Sequence, residues 1–531
     1  MNYDVIVVGG GIAGLIAAAY LAKAGHSTML CEKNSTCGGL VNSFERDGFV
    51  YDGGIRAMEN SGVLFPMLKH LGLEVEFVPN PISVGIEDRI IPVESEASLG
   101  DYQALLQALY PESRSEIAAI CDQIRLIMDY MKVQYGINNP IFLDMQRDRE
   151  YMLKAVLPWM VQYAITAPKI GKLNEPVEDF LRRYTANQSL LDIISQHFFQ
   201  QTPAFFALSY LKLYLDYHYP LGGTGKFIEK LVAFIQAHQG TILAETEITR
   251  VDPQARTLTD AQGKSYAYRR LIWAADQNAF YRTLDSGAIT DQKARQAIAQ
   301  RQRAIAGKTG NDSVLTLYLG VDLEPAYFAS KHSGHFFYTP SRQGQSQAGP
   351  IPVDAGREAV EAWLAQFFAL TTYEIAIPVL RDPALAPAGK TGLIISVLFD
   401  YRLTRAIEEA GWYEAFKTRC EEAIIDTLEA AIYPGLRQAI IQRFSATPLT
   451  MAKLSGNWQG AITGWAFTNQ PMPAESRLPR IMNAIRTPVP GVYQAGQWTY
   501  SPSGLPVSII TGKLAADRVS KELGKKQPPS V

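Results

Sequence analysis

Three glycines near the N-terminus are the first residues whose spacing could do chemistry. Gly9, Gly11 and Gly14 form a G-x-G-x-x-G run, with Ile12 and Ala13 between the last two. The first glycine permits a tight turn and the second lets backbone approach a pyrophosphate. The third lets a helix pack closely on a strand, with the helix N-terminus facing the phosphate charge. Glu32, followed by Lys33, lies about 18 residues past Gly14, where an acid can accept hydrogen bonds from a ribose. Such a site needs particular elements to hold it. Residues 4–8 (Asp-Val-Ile-Val-Val) read as a central parallel strand buried on both faces. Residues 15–24 read as an Ala- and Leu-rich helix stopped by Gly25, and residues 27–31 as a second strand ending at the acid. Strand, glycines, helix, strand and acid in this order predict a dinucleotide-binding βαβ unit.

The remaining composition narrows the class. Of 531 residues, 47% are hydrophobic and 19% charged, enough for a large core and too apolar for a disordered chain. With 50 basic and 52 acidic side chains the formal charge is −2, which argues against a nucleic-acid partner. The four cysteines (Cys31, Cys37, Cys121, Cys420) are too scattered for a disulfide framework or a metal site and read as packing residues. His332 and His335 lack a third ligand nearby, and no metal is expected. No secretory signal and no spanning helix are expected. Aromatic residues reach 10%, with 26 Tyr and 22 Phe, and many fall between 151 and 219. That region reads as mostly helical, including residues 150–164, 177–184 and 203–217, before Tyr219-Pro220-Leu221-Gly222-Gly223 breaks the run. Residues 241–275 read as short strands returning to the cofactor sheet, and 491–519 as a last strand and closing helix. The tail from 521 to 531 reads as loose.

Several later motifs carry a family resemblance. The Gly38-Gly39-Leu40 step after the ribose acid, with Asp52-Gly53-Gly54, resembles the extended motif of the flavin amine oxidase superfamily; Leu40 stands where many relatives have Arg. Tyr219-Pro220-x-Gly222-Gly223 is similar to an element of the phytoene desaturase, carotenoid isomerase and retinol saturase family. So are Trp273-Ala274-Ala275-Asp276, Asp382-Pro383, Thr447-Pro448-x-Thr450, Gly456-Asn457 with Gly464-Trp465, and Ala495-Gly496-Gln497-Trp498 with Gly504-Leu505-Pro506. Ser503 departs from a glycine found in several relatives. Together these motifs span nearly the whole chain.

The resemblance implies an α/β fold: a discontinuous, glutathione-reductase-like, Rossmann-like FAD-binding domain with an inserted α+β substrate domain. The expected segments are 1–85, 219–285 and 479–525 for FAD, 86–218 for a helical substrate part and 286–478 for the substrate sheet. It implies FAD held by Gly9, Gly11, Ile12, Ala13, Gly14, Glu32, Lys33, Gly38, Gly39, Leu40, Gly54, Ile248, Ala275, Gly496, Gln497, Pro506 and Val507. It also implies desaturation, saturation or isomerisation of C–C bonds in a long apolar polyene or isoprenoid. Amine or porphyrinogen oxidation is the alternative within enzymes, and a non-catalytic FAD-bound lipid carrier the alternative outside them. Arg56 is read as facing flavin or substrate, or as an ion-pair residue; Trp498 as lining the ring or packing the core; Tyr219 as bordering the substrate channel. Residues 152–167, apolar but interrupted by Pro158, are too short to span a membrane and could lie in its interface. The expected location is cytoplasmic, on the inner face of a membrane. The aromatic surplus then reads as a tunnel wall or a membrane-facing patch.

Overall fold

The computed structural model describes residues 2–144 and 147–524. Strand Asn2–Val8 lies at the centre of a seven-stranded sheet, parallel to Thr28–Cys31 on one side and to Ser265–Trp273 on the other. Thr241–Leu243 extends the Thr28–Cys31 edge. The first half of Ser265–Trp273 pairs with an antiparallel meander of Thr257–Asp260 and Ile248–Asp252, and its second half pairs with Val492–Gln494. This single sheet gathers three separate stretches of sequence, which establishes the α/β Rossmann-like class. The central strand is β-branched and buried on both faces, as a parallel strand between helices must be.

The first helix, Ile12–Lys23, is buried over nearly its full length because the last helix, Leu505–Leu523, packs across it. Gly512 makes the crossing close: a Cβ there would sit 2.4 Å from the carbonyl oxygen of Ala13. The last helix takes in Lys521–Leu523, part of the tail read as loose; residues 525–531 of that tail lie outside the described residues.

A second seven-stranded sheet runs Ile440–Ala446, Ser313–Val321, Thr391–Phe399, Tyr373–Ala376, His335–Thr339, Ile82–Ile86 and Arg89–Val93. Strand alternation sorts its two faces. Leu315, Leu317, Leu393 and Ile395 point to a core shared with helices Arg357–Leu370 and Tyr413–Ala431. Thr316 and Ser396 point the other way, into a cavity. A third core of helices between residues 98 and 215 closes that cavity from the far side.

The helical reading of the aromatic region needs two corrections. Residues 203–217 are not one helix: Ala204–Leu208 and Tyr210–Tyr214 are separate short helices, and Tyr217–Pro220 is a strand. That strand pairs with Met58–Glu59 and Phe77–Pro79, so long-range ladder bonds override local helical propensity. Nor does Pro158 interrupt the apolar helix. Arg149–Tyr151 passes through a π-turn at Met152–Val156 into Leu157–Gly171, and Pro158 falls in the first turn of that last segment.

Candidate active site

Two features lie side by side: a glycine cradle, and an aromatic-lined cavity whose lining includes Leu40, the residue after Gly39 of the cradle. In the cradle, Gly9 has φ +103° and a Cβ on it would press to 2.7 Å from the Ala274 oxygen, beside Ala275. A Cβ on Gly14 would lie 1.9 Å from the Gly9 oxygen. Gly11 is different: a Cβ there would meet nothing within 4 Å, so its backbone faces open space. Gly38 donates its N–H to the Gly10 carbonyl at 2.8 Å and bridges to Gly11, while Gly39 packs against the Gly11 Cα. The Glu32 carboxylate is buried and accepts the N–H of Gly10 at 2.7 Å and of Asn34 at 2.9 Å. With two lone pairs per oxygen it retains acceptor capacity. Gly11 precedes the first helix with no side-chain cap, leaving the first-turn N–H groups of Ile12 and Ala13 for an anion. These features fit a dinucleotide pyrophosphate and ribose.

The other expected ligands spread around this cradle. Gly496 abuts Ala13, its N–H held by Thr511 at 3.0 Å, and Gln497 packs its carbonyl against Gly464. Ile248 is buried where the meander starts. Leu40, Gly54, Pro506 and Val507 line the cavity. Lys33 instead reaches outward, its Nζ donating to the Lys453 carbonyl at 2.9 Å. Gly10 was not singled out from the spacing. A Cβ on it would meet Cys37 and Glu32, so its glycine character is set by what packs over it.

The cavity has a volume of about 750 Å³. Its wall carries many aromatic side chains, including Tyr163, Phe199, Phe206, Tyr210, Tyr214 and Phe337. The aromatic surplus of the helical region is therefore a tunnel wall. One side carries a polar patch. Arg56, only 7% exposed, donates to Glu374 Oε2 at 3.1 Å and to Ser396 Oγ at 2.6 Å, and His335 Nε2 lies 3.0 Å from Glu374 Oε1. Burial alone would raise the Glu374 carboxyl, but the Arg56 charge and the His335 hydrogen bond hold it down to about 2. Burial keeps His335 below the usual histidine range, although Glu374 opposes this, and pushes His197 down to about 4. Both imidazoles that line the cavity are thus neutral at pH 7.

Of the three candidate side chains, Arg56 lines the cavity and the other two do not. Tyr219 is fully buried; its hydroxyl donates to Asp52 at 2.8 Å and its ring carries the Arg381 guanidinium at 4.3 Å. Trp498 packs edge-on against Trp465 with centroids 4.9 Å apart and donates to Asn457. Several motifs prove to be staples around the cradle. Asp52 accepts Ser43 Oγ, Tyr219 Oη and both the N–H and hydroxyl of Thr224, tying residues 43–52 to residues 219–224. Asp382 accepts the Gly222 N–H at 2.7 Å. Asp276 caps helix Gln277–Thr283 and accepts the Trp458 N–H at 2.9 Å. Thr447 and Thr450 form a capping box. Glu59 and Glu374, the two acids of the cavity, carried no sequence signal: each sits in a short strand with no motif around it.

The comparisons with known proteins agree with this geometry. Residues 7–71 match the model of the NAD(P)-binding Rossmann-like domain. Along its whole length the chain is 23% identical to a chloroplastic prolycopene isomerase of Daucus carota, covering 82% of that protein. It is 22% identical to a 4,4'-diapophytoene desaturase of Staphylococcus aureus over 98% of this chain and 99% of the other. Among solved structures, an oxidoreductase from Methanosarcina mazei superposes over 98% of this chain and all of the other with a TM-score of 0.61 at 15% identity. The resemblance read from scattered motifs therefore extends from end to end: along nearly its whole length the chain is similar to carotenoid isomerases and desaturases.

Proposed function

We propose that the protein binds FAD and rearranges or dehydrogenates C–C bonds of a long apolar polyene or isoprenoid. The observation that carries this reading is the aromatic-lined cavity that Leu40, directly after Gly39 of the cradle, helps to line together with Gly504–Val507 at the start of the last helix. A bound flavin supplies two-electron exchange with carbon. The chain supplies the rest. Gly9, Gly11, Gly14, Glu32, Gly38 and Gly39 would seat the dinucleotide, and the N-terminus of the last helix would face the ring. The aromatic wall orients an apolar chain and excludes water. At the polar patch the Glu374 carboxylate is already neutralised by Arg56 and is not free to hold an ammonium group.

The helix lining the cavity mouth also supports substrate entry from a membrane. Tyr163, Ala167 and Ile170 face the cavity. On the opposite side Leu153, Leu157, Met160, Val161 and Ile165 are 50–63% exposed, at helical spacing on one stripe. Such a stripe seats an amphipathic helix in a bilayer interface. Among the described residues, no helix is long and apolar enough to cross a membrane.

The test is anaerobic mixing of the purified flavoprotein with a panel of polyenes, retinoids, amines and porphyrinogens. Bleaching of the flavin, or altered geometry of the recovered polyene, is expected with polyenes only. Bleaching only by amines or porphyrinogens would replace this reading with an oxidase. No change with any compound would favour a lipid carrier.

A further inference from the structure

The cavity holds two carboxylates whose surroundings differ sharply. Glu374 is locked as an anion by Arg56 and His335. Glu59 also lines the cavity, and no basic side chain among the described residues pairs with it. It sits on the strand paired to Tyr217–Pro220, and its Oε1 lies 3.7 Å from the position a Cβ would take on Gly504. Gly504 is the residue before the last helix and lines the same cavity, so this carboxyl stands in the cavity beside the start of that helix. The groups around it are Asp216 and Tyr217 from the paired strand segment, Tyr210 from the short helix, and Tyr135 from helix Arg114–Tyr135. None of them supplies a compensating positive charge, and Asp216, whose Oδ2 accepts the Ser61 N–H at 2.7 Å, adds repulsion. Burial, opposed by a backbone hydrogen bond and reinforced by Asp216, pushes the Glu59 carboxyl up to about 7. Two acids in one site, one driven down and one driven up, mark a division of labour between a fixed charge and a proton carrier.

We propose that Glu59 is the catalytic acid–base of this cavity, exchanging a proton with the substrate carbon next to the reacting bond. This rests on the polyene reading above. In the direction that makes a double bond, the C–H bond of that carbon breaks, its electron pair becomes the π bond and the proton goes to the Glu59 carboxylate. A bound oxidised flavin would supply the acceptor for the hydride of the neighbouring carbon, so that the substrate would give up one H⁻ and one H⁺ in balance. In an isomerisation the protonated Glu59 donates to one polyene carbon, the bond order of the cation falls so that it rotates, and either hydrogen of that carbon then returns to Glu59 as a proton, with no net redox change and with exchange against solvent. Glu374 and Arg56 remain an ion pair throughout.

The test uses the flavin-loaded protein, wild type beside Glu59→Gln and Glu59→Asp, with flavin absorbance and melting checked first. Infrared titration of protonated carboxyl groups needs no substrate. A carboxyl band with a midpoint near pH 7 in wild type, absent in Glu59→Gln, is expected; no such band in wild type, or an unchanged one in Glu59→Gln, would overturn the proposal whatever the substrate is. Incubation with a polyene in D₂O then follows deuterium entering the recovered hydrocarbon. Glu59→Gln should lower that exchange about 10²-fold or more, with Glu59→Asp recovering part of it. Exchange at the wild-type rate in a folded, flavin-loaded Glu59→Gln would exclude Glu59. Intact titration with no exchange from any polyene would instead sink the substrate class and, with it, Glu59 as its proton carrier.

Discussion

The glycine cradle and the aromatic cavity share a border and are built on opposite principles. The cradle is made of backbone, and its first parts lie within the N-terminal residues 9–39. What matters there is the absence of side chains at fixed spacing. The cavity is made of side chains from remote segments: Glu59, Tyr210, His335, Glu374, Ser396 and Val507 all reach it. The difference teaches where each should break. The cradle should be intolerant of any added Cβ, whereas the cavity should tolerate changes of shape and respond to changes of charge.

The sharpest break is a pair of glycine substitutions. Gly14→Ala places a Cβ 1.9 Å from the Gly9 oxygen and should abolish folded protein, seen as loss of soluble expression and of helical circular dichroism. Gly11→Val points into open space, so the fold and its melting should persist while the protein purifies without flavin absorbance. A folded Gly11→Val that keeps its flavin would mean the cradle is not the cofactor seat.

Next in size is Asp52→Ala. It strands the Tyr219 hydroxyl and the Thr224 N–H in a buried site and takes one acceptor from the Ser43 and Thr224 hydroxyls. A cost of about 3 kcal/mol in urea unfolding is expected. A loss below about 1 kcal/mol would show that the two segments are joined chiefly by packing.

The two cavity acids offer a smaller effect with opposite signs. Glu374 is held below its ordinary value of 4.5, so its contribution to stability is present above that pH and fades as pH falls toward about 2. Glu374→Gln should cost about 2 kcal/mol at pH 7, leaving Arg56 unpaired, and that difference should shrink by pH 3. Glu59 is raised from 4.5 to about 7, so its contribution is present at low pH and lost as pH rises through that window. Relative to Glu59→Gln, the wild type should lose melting temperature between pH 4.5 and 7. Parallel melting curves for both pairs across pH would contradict the electrostatic division of the cavity.

The smallest effect on stability belongs to the outer helix face. Val161→Asp, at a site 63% exposed, should change unfolding by less than about 0.5 kcal/mol. The same change should reduce flotation with lipid vesicles severalfold, and equal flotation would remove the membrane-docking reading.

Legibility in the sequence followed the same line. Glycines, ribose acid and closing helix were readable because a dinucleotide cradle is local and periodic, and its glycines are required by φ and by close approach. Tyr219 and Trp498 were visible as motif residues, yet their motifs report stapling: one holds Asp52, the other packs on Trp465. Arg56 was visible from its loop, but not its partner Glu374, which lies more than 300 residues away. The strand at Tyr217–Pro220 was hidden behind helical composition, because its partners Met58–Glu59 and Phe77–Pro79 are distant in the chain.

By itself, then, the sequence determined the Rossmann-like class, the glycine cradle, the resemblance to carotenoid isomerases and desaturases, and the fact that aromatic surface had to be placed somewhere. Only the tertiary structure decided that this surface walls a cavity, which helix face is left bare, and that two glutamates of ordinary sequence context become an anion and a proton carrier. The physical reason is range. Backbone turns and buried strands are dictated by neighbours along the chain, whereas the charge state of a carboxyl is set by desolvation and by whichever cation the fold brings beside it.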